Sequence, residues 1–202
     1  MMKREFSFRL AVPEDAAQML DIYSRYVTET AVTFEYDVPT VCEFENRIRK
    51  ISERFPWIVC ETDGRIVGYA YASEYRERAA FRWSCELSVY VADVFQRHGI
   101  GKVLYRVLLD VLRLQGYHTA VACVTYPNAV SDAFHRGLGF EYTGLFPNVG
   151  YKLGSWWGVS WYQTPLTDYP TSPTEPLVIG EIPAGEILKI LNTHADKTLN
   201  KL

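Results

Sequence analysis

The chain of 202 residues lacks any long hydrophobic run and any strong excess of one charge. No stretch of about 18 apolar residues occurs, so the sequence predicts no membrane-spanning helix. The net charge is −3, whereas general nucleic-acid binders carry a basic excess. We therefore expect neither a nucleic-acid nor a membrane partner. The first eleven residues contain no apolar core of a signal peptide, which favours a cytoplasmic location.

Cysteine and histidine are sparse and scattered. The four cysteines are Cys42, Cys60, Cys85 and Cys123; none forms a C-x-x-C pair, and three of them lie in apolar, strand-like runs. This spacing favours buried, reduced thiols. The four histidines are equally dispersed, and a zinc site needs clustered ligands. We therefore expect no metal.

The hydrophobic share of 48% supports one substantial core. Aromatic residues reach 14%, and they need a core or a pocket. The composition changes after Leu166, where three prolines interrupt any regular structure: Pro170, Pro173 and Pro176. We expect one domain over 1–166 and an extension over 167–202. The apolar group at 187–191 suggests that the extension docks on the core or on the partner of a homodimer.

Strand and helix patterns alternate along the domain. Apolar residues recur at helical spacing over 99–115, and Gly116 is suited to end that helix. Asp63-Gly64 between two apolar runs indicates a hairpin. Interleaved helices and strands predict an α/β fold, with a mixed sheet covered on both faces.

A glycine-rich turn follows the strand that ends at Val91 and precedes the clearest helix. Backbone N–H groups at such a turn, together with the helix dipole, favour an anion. The dinucleotide fingerprint fails because Leu104 stands where its third glycine belongs. The P-loop fails because Val103 follows Lys102. A diphosphate site of another kind remains.

The pattern Gln96-x-x-Gly99-x-Gly101, followed by Asn128 and Leu138-Gly139-Phe140, resembles the GCN5-related N-acetyltransferases (GNAT). The resemblance covers roughly residues 6–166 and is closer still to the phosphinothricin acetyltransferase branch. It rests also on the stretches at 31–34, 53–57, 68–72 and 83–91. It implies a central, mostly antiparallel mixed sheet flanked by helices. It also implies acetyl-CoA as co-substrate, and a small amino acid or analogue of the phosphinothricin, methionine sulfoximine or methionine sulfone type as acceptor.

The resemblance also implies where acetyl-CoA is held. The pantetheine arm would lie along the backbone of Val89, Tyr90 and Val91. The pyrophosphate would lie on the turn, against Arg97, His98, Gly99, Ile100, Gly101 and Lys102. Asn128 would bond the pantetheine or the thioester; alternatively, or in addition, it caps the helix after Pro127.

The acceptor's ammonium must lose a proton before it can attack. Alternation along the strand places Glu86 on a polar face, which could simply face solvent. The resemblance instead implies that Glu86 is the general base, with a pKa raised by desolvation. His135 stands where the superfamily often has a tyrosine that protonates the departing thiolate. An imidazole can donate that proton, but His135 could equally be a packed helix residue.

The acceptor's carboxylate needs a cation. The resemblance implies Arg76 and Arg78, although both could belong to a solvated charged loop. Phe34 would pack on the acceptor side chain, and Phe81, Trp83 and Tyr90 would line the cleft. Glu35, next to Phe34, disfavours an anionic acceptor such as phosphinothricin.

Two other functions stay open. The chain could be a non-catalytic module that binds acyl-CoA, although Glu86 argues against this. It could also acetylate a protein N-terminus or an aminoglycoside. Those cations favour an acidic cleft, whereas Arg76 and Arg78 favour an acid.

Overall fold

The computed structural model describes residues 5–198, with side chains described as far as residue 195. Residues 1–4 and 199–202 of the expected domain and extension lie outside the described residues. The strands are β1 (Ser7–Leu10), β2 (Trp57–Thr62), β3 (Arg65–Glu74), β4 (Ser84–Val91), β5 (Thr119–Tyr126), β6 (Glu141–Lys152) and β7 (Ser155–Pro165). The helices are α1 (Ala16–Glu29), α2 (Val41–Ser52), α3 (Ile100–Gln115), α4 (Ala129–Arg136) and α5 (Ala184–Thr198).

The strands form one sheet in the order β1-β2-β3-β4-β5-β7-β6. The pair β4–β5 is parallel, and the five other neighbouring pairs are antiparallel. The expected mixed, mostly antiparallel sheet is confirmed. The β4–β5 ladder ends at the pair Glu86–Val121, although both strands continue for several residues. The two strands therefore separate in the middle of the sheet.

Each face of the sheet carries its own core. On one face, α3 and α5 pack with the buried sides of the central strands, including Cys85 and Leu87 of β4. On the other face, α1 and α2 cover Trp57, Tyr69 and Tyr90. The expected cover on both faces is confirmed, and the alternation along β4 sends successive side chains into different cores.

Local signals set the ends of several elements. The Thr40 hydroxyl and the Glu43 carboxylate form a capping box at the start of α2. Gly116 ends α3 at φ 87°, a conformation that favours glycine. The strand β6 is long, because it pairs with β7 as far as Lys152.

The extension docks on its own chain. Its helix α5 packs on α3 and β1, and Ile187 and Leu191 are buried in that core. The apolar residues that suggested a dimer contact are therefore used within one chain, and they give no support to a homodimer.

Two of the four thiols differ from expectation. Cys60 and Cys85 are buried, whereas Cys42 and Cys123 are exposed, and all four are free. Cys123 is exposed because its side chain points from β5 to the sheet face opposite α3, beyond the cover of α1 and α2. None of the helices between residues 5 and 198 is long and apolar enough to span a bilayer.

Candidate active site

The cleft lies where β4 and β5 separate, and it is lined by the free backbone edge of β4. The Val91 N–H donates to the Tyr26 hydroxyl (3.3 Å), which donates to the Val91 C=O (2.7 Å). The Tyr105 hydroxyl oxygen lies 3.3 Å from the Leu87 C=O oxygen. Backbone groups alternate between the two edges of a strand, so Val89, midway between these residues, presents its N–H and C=O to the same cleft.

These contacts change the expected roles of two residues. The Val91 position is already held by Tyr26 of α1, which leaves Val89 as the open docking position for an extended arm. The Tyr90 side chain does not line the cleft. It packs in the core at 5.0 Å from the Tyr23 ring and 5.3 Å from the Tyr69 ring, and burial raises its pKa well above the usual value. Only the backbone of Tyr90 is near the cleft.

The glycine-rich turn has the geometry of an anion site. Gly99 is left-handed at φ 80°, and Arg97 also has a positive φ, 62°. The first helical bond of α3 runs from the Val103 N–H to the Gly99 C=O (3.1 Å), so the preceding amides of the helix lie outside its hydrogen-bond ladder. Arg97, His98 and Lys102 are exposed around them. Convergent amides and three basic side chains fit a pyrophosphate.

Asn128 is the N-cap of α4, as one of its two interpretations predicts. Its Oδ1 accepts the Ser131 N–H at 3.0 Å. The cap fixes the start of α4 at the end of β5, beside the cleft. The cap uses the oxygen of the side-chain amide. The amide N–H groups are donors of the type that can bind a carbonyl of the pantetheine arm.

His135 is buried in α4, with 4% of its surface exposed. Its Nδ1 lies 2.8 Å from the Ser131 C=O, and its Nε2 lies 3.2 Å from the Tyr105 hydroxyl. A carbonyl can only accept, so Nδ1 carries the proton and Nε2 accepts from Tyr105. Burial lowers the pKa of His135, which keeps the ring neutral. The expected direct donation by His135 is corrected: it reaches the cleft only through the Tyr105 hydroxyl.

Glu86 lies at the point where the β4–β5 ladder ends, half-buried on the face opposite α3. Burial raises the pKa of its carboxyl, and the positive charge of Arg76 partly opposes that rise. The carboxyl is thus a stronger base than an exposed glutamate. Ser88, two residues further along β4, and Tyr71, its partner on β3, lie on the same face, where their hydroxyls share a hydrogen bond.

The loop of residues 75–83, which we call the acceptor loop, places Arg76 near enough to Glu86 for its positive charge to lower the pKa of the Glu86 carboxyl. The Arg76 guanidinium lies over the Tyr75 ring, 5.2 Å from its centre. Tyr75 packs edge-on against Phe81 at 5.6 Å and against Trp161 of β7 at 6.1 Å. Arg76 and Phe81 therefore lie on the Glu86 side of the sheet.

Two other residues of this loop do not lie where we expected them. The Trp83 indole N–H donates to the Thr174 C=O of the extension (2.7 Å). Trp83 lies two residues before Cys85, and side chains two residues apart in an extended segment point to the same side of the sheet. Cys85 faces α3, so the Trp83 ring lies on that side and not in the cleft on the opposite face. The Arg78 side chain is exposed before a 3₁₀ turn, in which its C=O accepts the Phe81 N–H. This position agrees with the solvated-loop interpretation of Arg78, and its role toward the acceptor stays a prediction.

The far wall of the cleft is the connection between α1 and α2. The Phe34 ring lies on Gly150 of β6. The buried Lys152 amine donates to the Thr33 C=O at 2.7 Å, and the Tyr36 hydroxyl donates to the Tyr151 C=O. Burial lowers the pKa of Lys152. These contacts hold Phe34 in place opposite the acceptor loop.

Glu35 is not an isolated negative charge. Arg47 of α2 forms two hydrogen bonds with its carboxylate, at 2.6 and 3.1 Å. Two parallel bonds of this kind fix both groups and compensate both charges. The charge of Glu35 is therefore only weak evidence against an anionic acceptor.

Sequence reasoning missed four residues of the site: Tyr26, Arg47, Lys152 and Trp161. Each contacts its partner across a large separation in sequence, 65 residues between Tyr26 and Val91 and 119 between Lys152 and Thr33. No local pattern marks such contacts. One sequence feature could have indicated such a contact. It is a lysine within a strand rich in aromatic residues, because a cation buried there needs a hydrogen-bond partner.

The described residues hold no group of three or more histidine, cysteine, aspartate or glutamate side chains suited to a metal ion. The cleft contains instead one carboxyl, one guanidinium, aromatic walls and an amide-lined turn.

Comparison with known proteins agrees with this geometry. The acetyltransferase (GNAT) domain family matches residues 8–161. The phosphinothricin N-acetyltransferase of Streptomyces viridochromogenes is 33% identical over 176 residues, 87% of this chain and 96% of that protein. An L-methionine sulfoximine/L-methionine sulfone acetyltransferase of Salmonella typhimurium is 32% identical over 167 residues, 81% of this chain and 96% of that protein.

A solved structure shares the same architecture. The phosphinothricin acetyltransferase of Sinorhizobium meliloti, in complex with acetyl-CoA, has a TM-score of 0.81 and 33% identity, over 87% of this chain and 96% of that one. The chain therefore belongs to the GNAT acetyltransferase family.

Proposed function

We propose that the protein transfers the acetyl group of acetyl-CoA directly to the amino group of a small amino acid or amino-acid analogue. The observation that carries this proposal is the position of Glu86. Its carboxyl has a raised pKa and lies beside Arg76, where β4 and β5 separate. A base, a cation for the acceptor's carboxylate and an open backbone edge meet at one point.

Acetyl-CoA supplies the activated acetyl group as a thioester. The turn at Gly99 and Lys102 holds the diphosphate, and the open edge at Val89 aligns the arm toward Glu86. Arg76 binds the acceptor's carboxylate and so orients its amino group. Glu86 accepts the ammonium proton, directly or through water. Its raised pKa lies closer to the pKa of the acceptor's ammonium, which favours the proton transfer.

As the C–S bond breaks, the departing sulfur must gain a proton and the nitrogen of the tetrahedral intermediate must lose its second one. We propose that the Tyr105 hydroxyl gives its proton to the sulfur and is reprotonated, through water, from that nitrogen. This hydroxyl lies at the open edge of β4, 3.3 Å from the Leu87 C=O. His135 acts as a positioning residue, because its Nε2 orients the hydroxyl at 3.2 Å. Its neutral ring accepts from Tyr105 at rest.

The polarity of the cleft favours a small zwitterion. Phe34 and Phe81 offer apolar walls, and the paired Glu35 and Arg47 offer a compensated polar site. We propose acceptors of the phosphinothricin, methionine sulfone and methionine sulfoximine type, which the names of the relatives in Streptomyces and Salmonella also mention.

The experiment is a thiol-release assay with acetyl-CoA and a panel of amino acids, run on the wild type and Glu86→Gln. We expect release with at least one acceptor of the proposed type, and a loss of turnover of about 10²-fold or more in the variant. Affinity for CoA should stay near the wild-type value. Undiminished turnover of Glu86→Gln near neutral pH would remove Glu86 from the mechanism.

The same assay separates the alternative functions. A non-catalytic module would bind CoA tightly and release no thiol with any amine. An enzyme for aminoglycosides or protein N-termini would release thiol with those cations and not with amino acids. Arg76 beside Glu86 argues against cationic acceptors, because like charges repel across the cleft.

We propose further that the protein is a homodimer in the cytoplasm. Exposed apolar side chains on the β6–β7 hairpin support a partner surface: Phe146, Val149, Tyr151, Leu153 and Trp156. The free, buried Cys60 and Cys85 support a reducing compartment. Light scattering of Trp156→Glu should show a smaller mass than the wild type, and cell fractionation should recover the protein with cytoplasmic markers.

A further inference from the structure

The extension crosses the outside of the acceptor loop, and residues 167–182 form a segment that we call the strap. One end of the strap is tied to the sheet. The Thr167 hydroxyl lies 2.5 Å from the His118 Nδ1, and the Tyr169 hydroxyl lies 3.1 Å from the Thr119 hydroxyl. The strap therefore begins at a fixed point beside β5.

The other end of the strap is tied to α3. Gln115, 1% exposed, donates through its amide to the Arg54 C=O and the Leu177 C=O, both at 2.8 Å. The Leu177 N–H returns a bond to the Gln115 C=O at 2.8 Å. Ile179 and Ile182 follow and are buried. Both ends of the strap are thus held by the folded domain.

The middle of the strap contacts the acceptor loop. The Trp83 indole donates to the Thr174 C=O at 2.7 Å, and Arg82 forms an ion pair with Glu175. Arg82 also donates to the Ala79 C=O at 3.0 Å. The guanidinium thus links the strap to the 3₁₀ turn of the loop.

The acceptor loop has few other supports. Its body, residues 75–82, is exposed at most positions. On the cleft side it is held by Tyr75 against Phe81 and Trp161. Contacts with the strap on the outside therefore help to decide where the loop, and the Arg76 that it carries, lie relative to Glu86.

We propose that the strap is a positioning element of the acceptor site: Thr174 and Glu175 fix the acceptor loop through Trp83 and Arg82, and so set the affinity for the acceptor. This inference rests on the proposed function for its kinetic part. The match to the GNAT domain family ends at residue 161, before the strap begins.

The test is the double variant Trp83→Phe/Glu175→Gln, which removes the indole donor and the Glu175 charge while it keeps an aromatic ring at position 83 and the shape of the side chain at position 175. We expect the KM for the amino-acid acceptor to rise about 5- to 10-fold, with the KM for acetyl-CoA and kcat within about twofold. Glu175→Gln alone should give a smaller effect in the same direction. The Glu175 side chain is 72% exposed, so this single variant should fold normally.

Glu181→Gln is the matched control. Glu181 is a strap carboxylate that accepts the Val178 N–H at 2.9 Å, within the strap itself. It should leave both KM values unchanged. Glu175→Arg alone places two positive charges together and should raise the KM for the acceptor. The double variant Arg82→Glu/Glu175→Arg exchanges the two charges and should return this KM toward the wild-type value. A general loss of stability would not produce this rescue.

Hydrogen exchange gives a readout that needs no activity. Amides of residues 75–83 should exchange faster in the double variant than in the wild type, and amides of α3 should not. Unchanged exchange in the loop, or equal changes in the two KM values, would overturn the proposed role of the strap. A wild type that releases no thiol with any acceptor, but shows the exchange effect, would count against the proposed function alone.

Discussion

The Phe34 ring rests on Gly150 so closely that a Cβ at that position would lie 2.4 Å from Cε2 and 2.6 Å from Cζ. Cβ atoms do not approach other heavy atoms so closely. The absence of a side chain at Gly150 therefore sets the position of the aromatic wall on one side of the acceptor cleft.

Gly150→Ala should displace the Phe34 ring and narrow or reshape the cleft. We expect the KM for the acceptor to rise about tenfold or more, because small misplacements of substrate contacts are costly. The KM for acetyl-CoA should stay unchanged. Gly144→Ala, on the same strand and with open space around its Cβ, is the control. Equal effects of the two variants on acceptor KM would contradict this account of Phe34.

The pH profile should depend on Arg76. Glu86 must be ionised to accept a proton, so kcat/KM falls as the pH falls through its pKa. Arg76 opposes the rise that burial causes in this pKa. Arg76→Gln should therefore raise the pKa further, and move the acidic limb of kcat/KM upward by about half a pH unit. Arg78→Gln should leave the limb in place, and a downward shift for Arg76→Gln would refute the assignment.

Tyr105→Phe should lower kcat by about 10- to 100-fold with little change in either KM, because the variant removes the proposed proton donor. The ring contacts with Phe134 and Phe140 remain available to phenylalanine. Tyr117→Phe is the control, since its buried hydroxyl accepts from Arg54 and lies outside the cleft. Full turnover in Tyr105→Phe would show that water, and not Tyr105, protonates the departing sulfur.

Arg47→Gln should leave the Glu35 carboxylate without its partner, and make the cleft more negative. Both groups are partly exposed, at 41% and 34%, so the pair is worth up to about 1 kcal/mol. We expect kcat/KM for phosphinothricin to fall about two- to fivefold more than kcat/KM for methionine sulfone. An equal loss with both acceptors would show that Arg47 acts on the fold of the connection and not through charge.

Local features of the fold follow from the sequence. The helix over 100–115, its end at Gly116 and the hairpin at Asp63-Gly64 depend on spacing and on backbone conformation within a few residues. The glycine turn and the N-cap at Asn128 are local in the same way. The resemblance to a family then joined these separate signals into one expected site.

The parts of the site that the sequence did not predict are contacts between distant segments. The family resemblance implied places for Trp83 and Tyr90 in the cleft, yet the Trp83 ring packs on the strap and the Tyr90 ring packs in the core under α1. Which face of a strand is open depends on what other elements cover it. That cover is a property of tertiary packing, and no periodicity within β4 encodes it.

The sequence by itself determined the order of helices and strands, the anion-binding turn and the carboxyl of Glu86 on one face of its strand. Each rests on side-chain alternation, capping or a positive φ, which neighbouring residues fix. Only the tertiary structure decided that Tyr26 holds Val91, that Arg47 compensates Glu35 and that the strap holds the acceptor loop. These pairs join segments far apart in the chain, and only the packing of helices on the separated sheet brings them within hydrogen-bond distance.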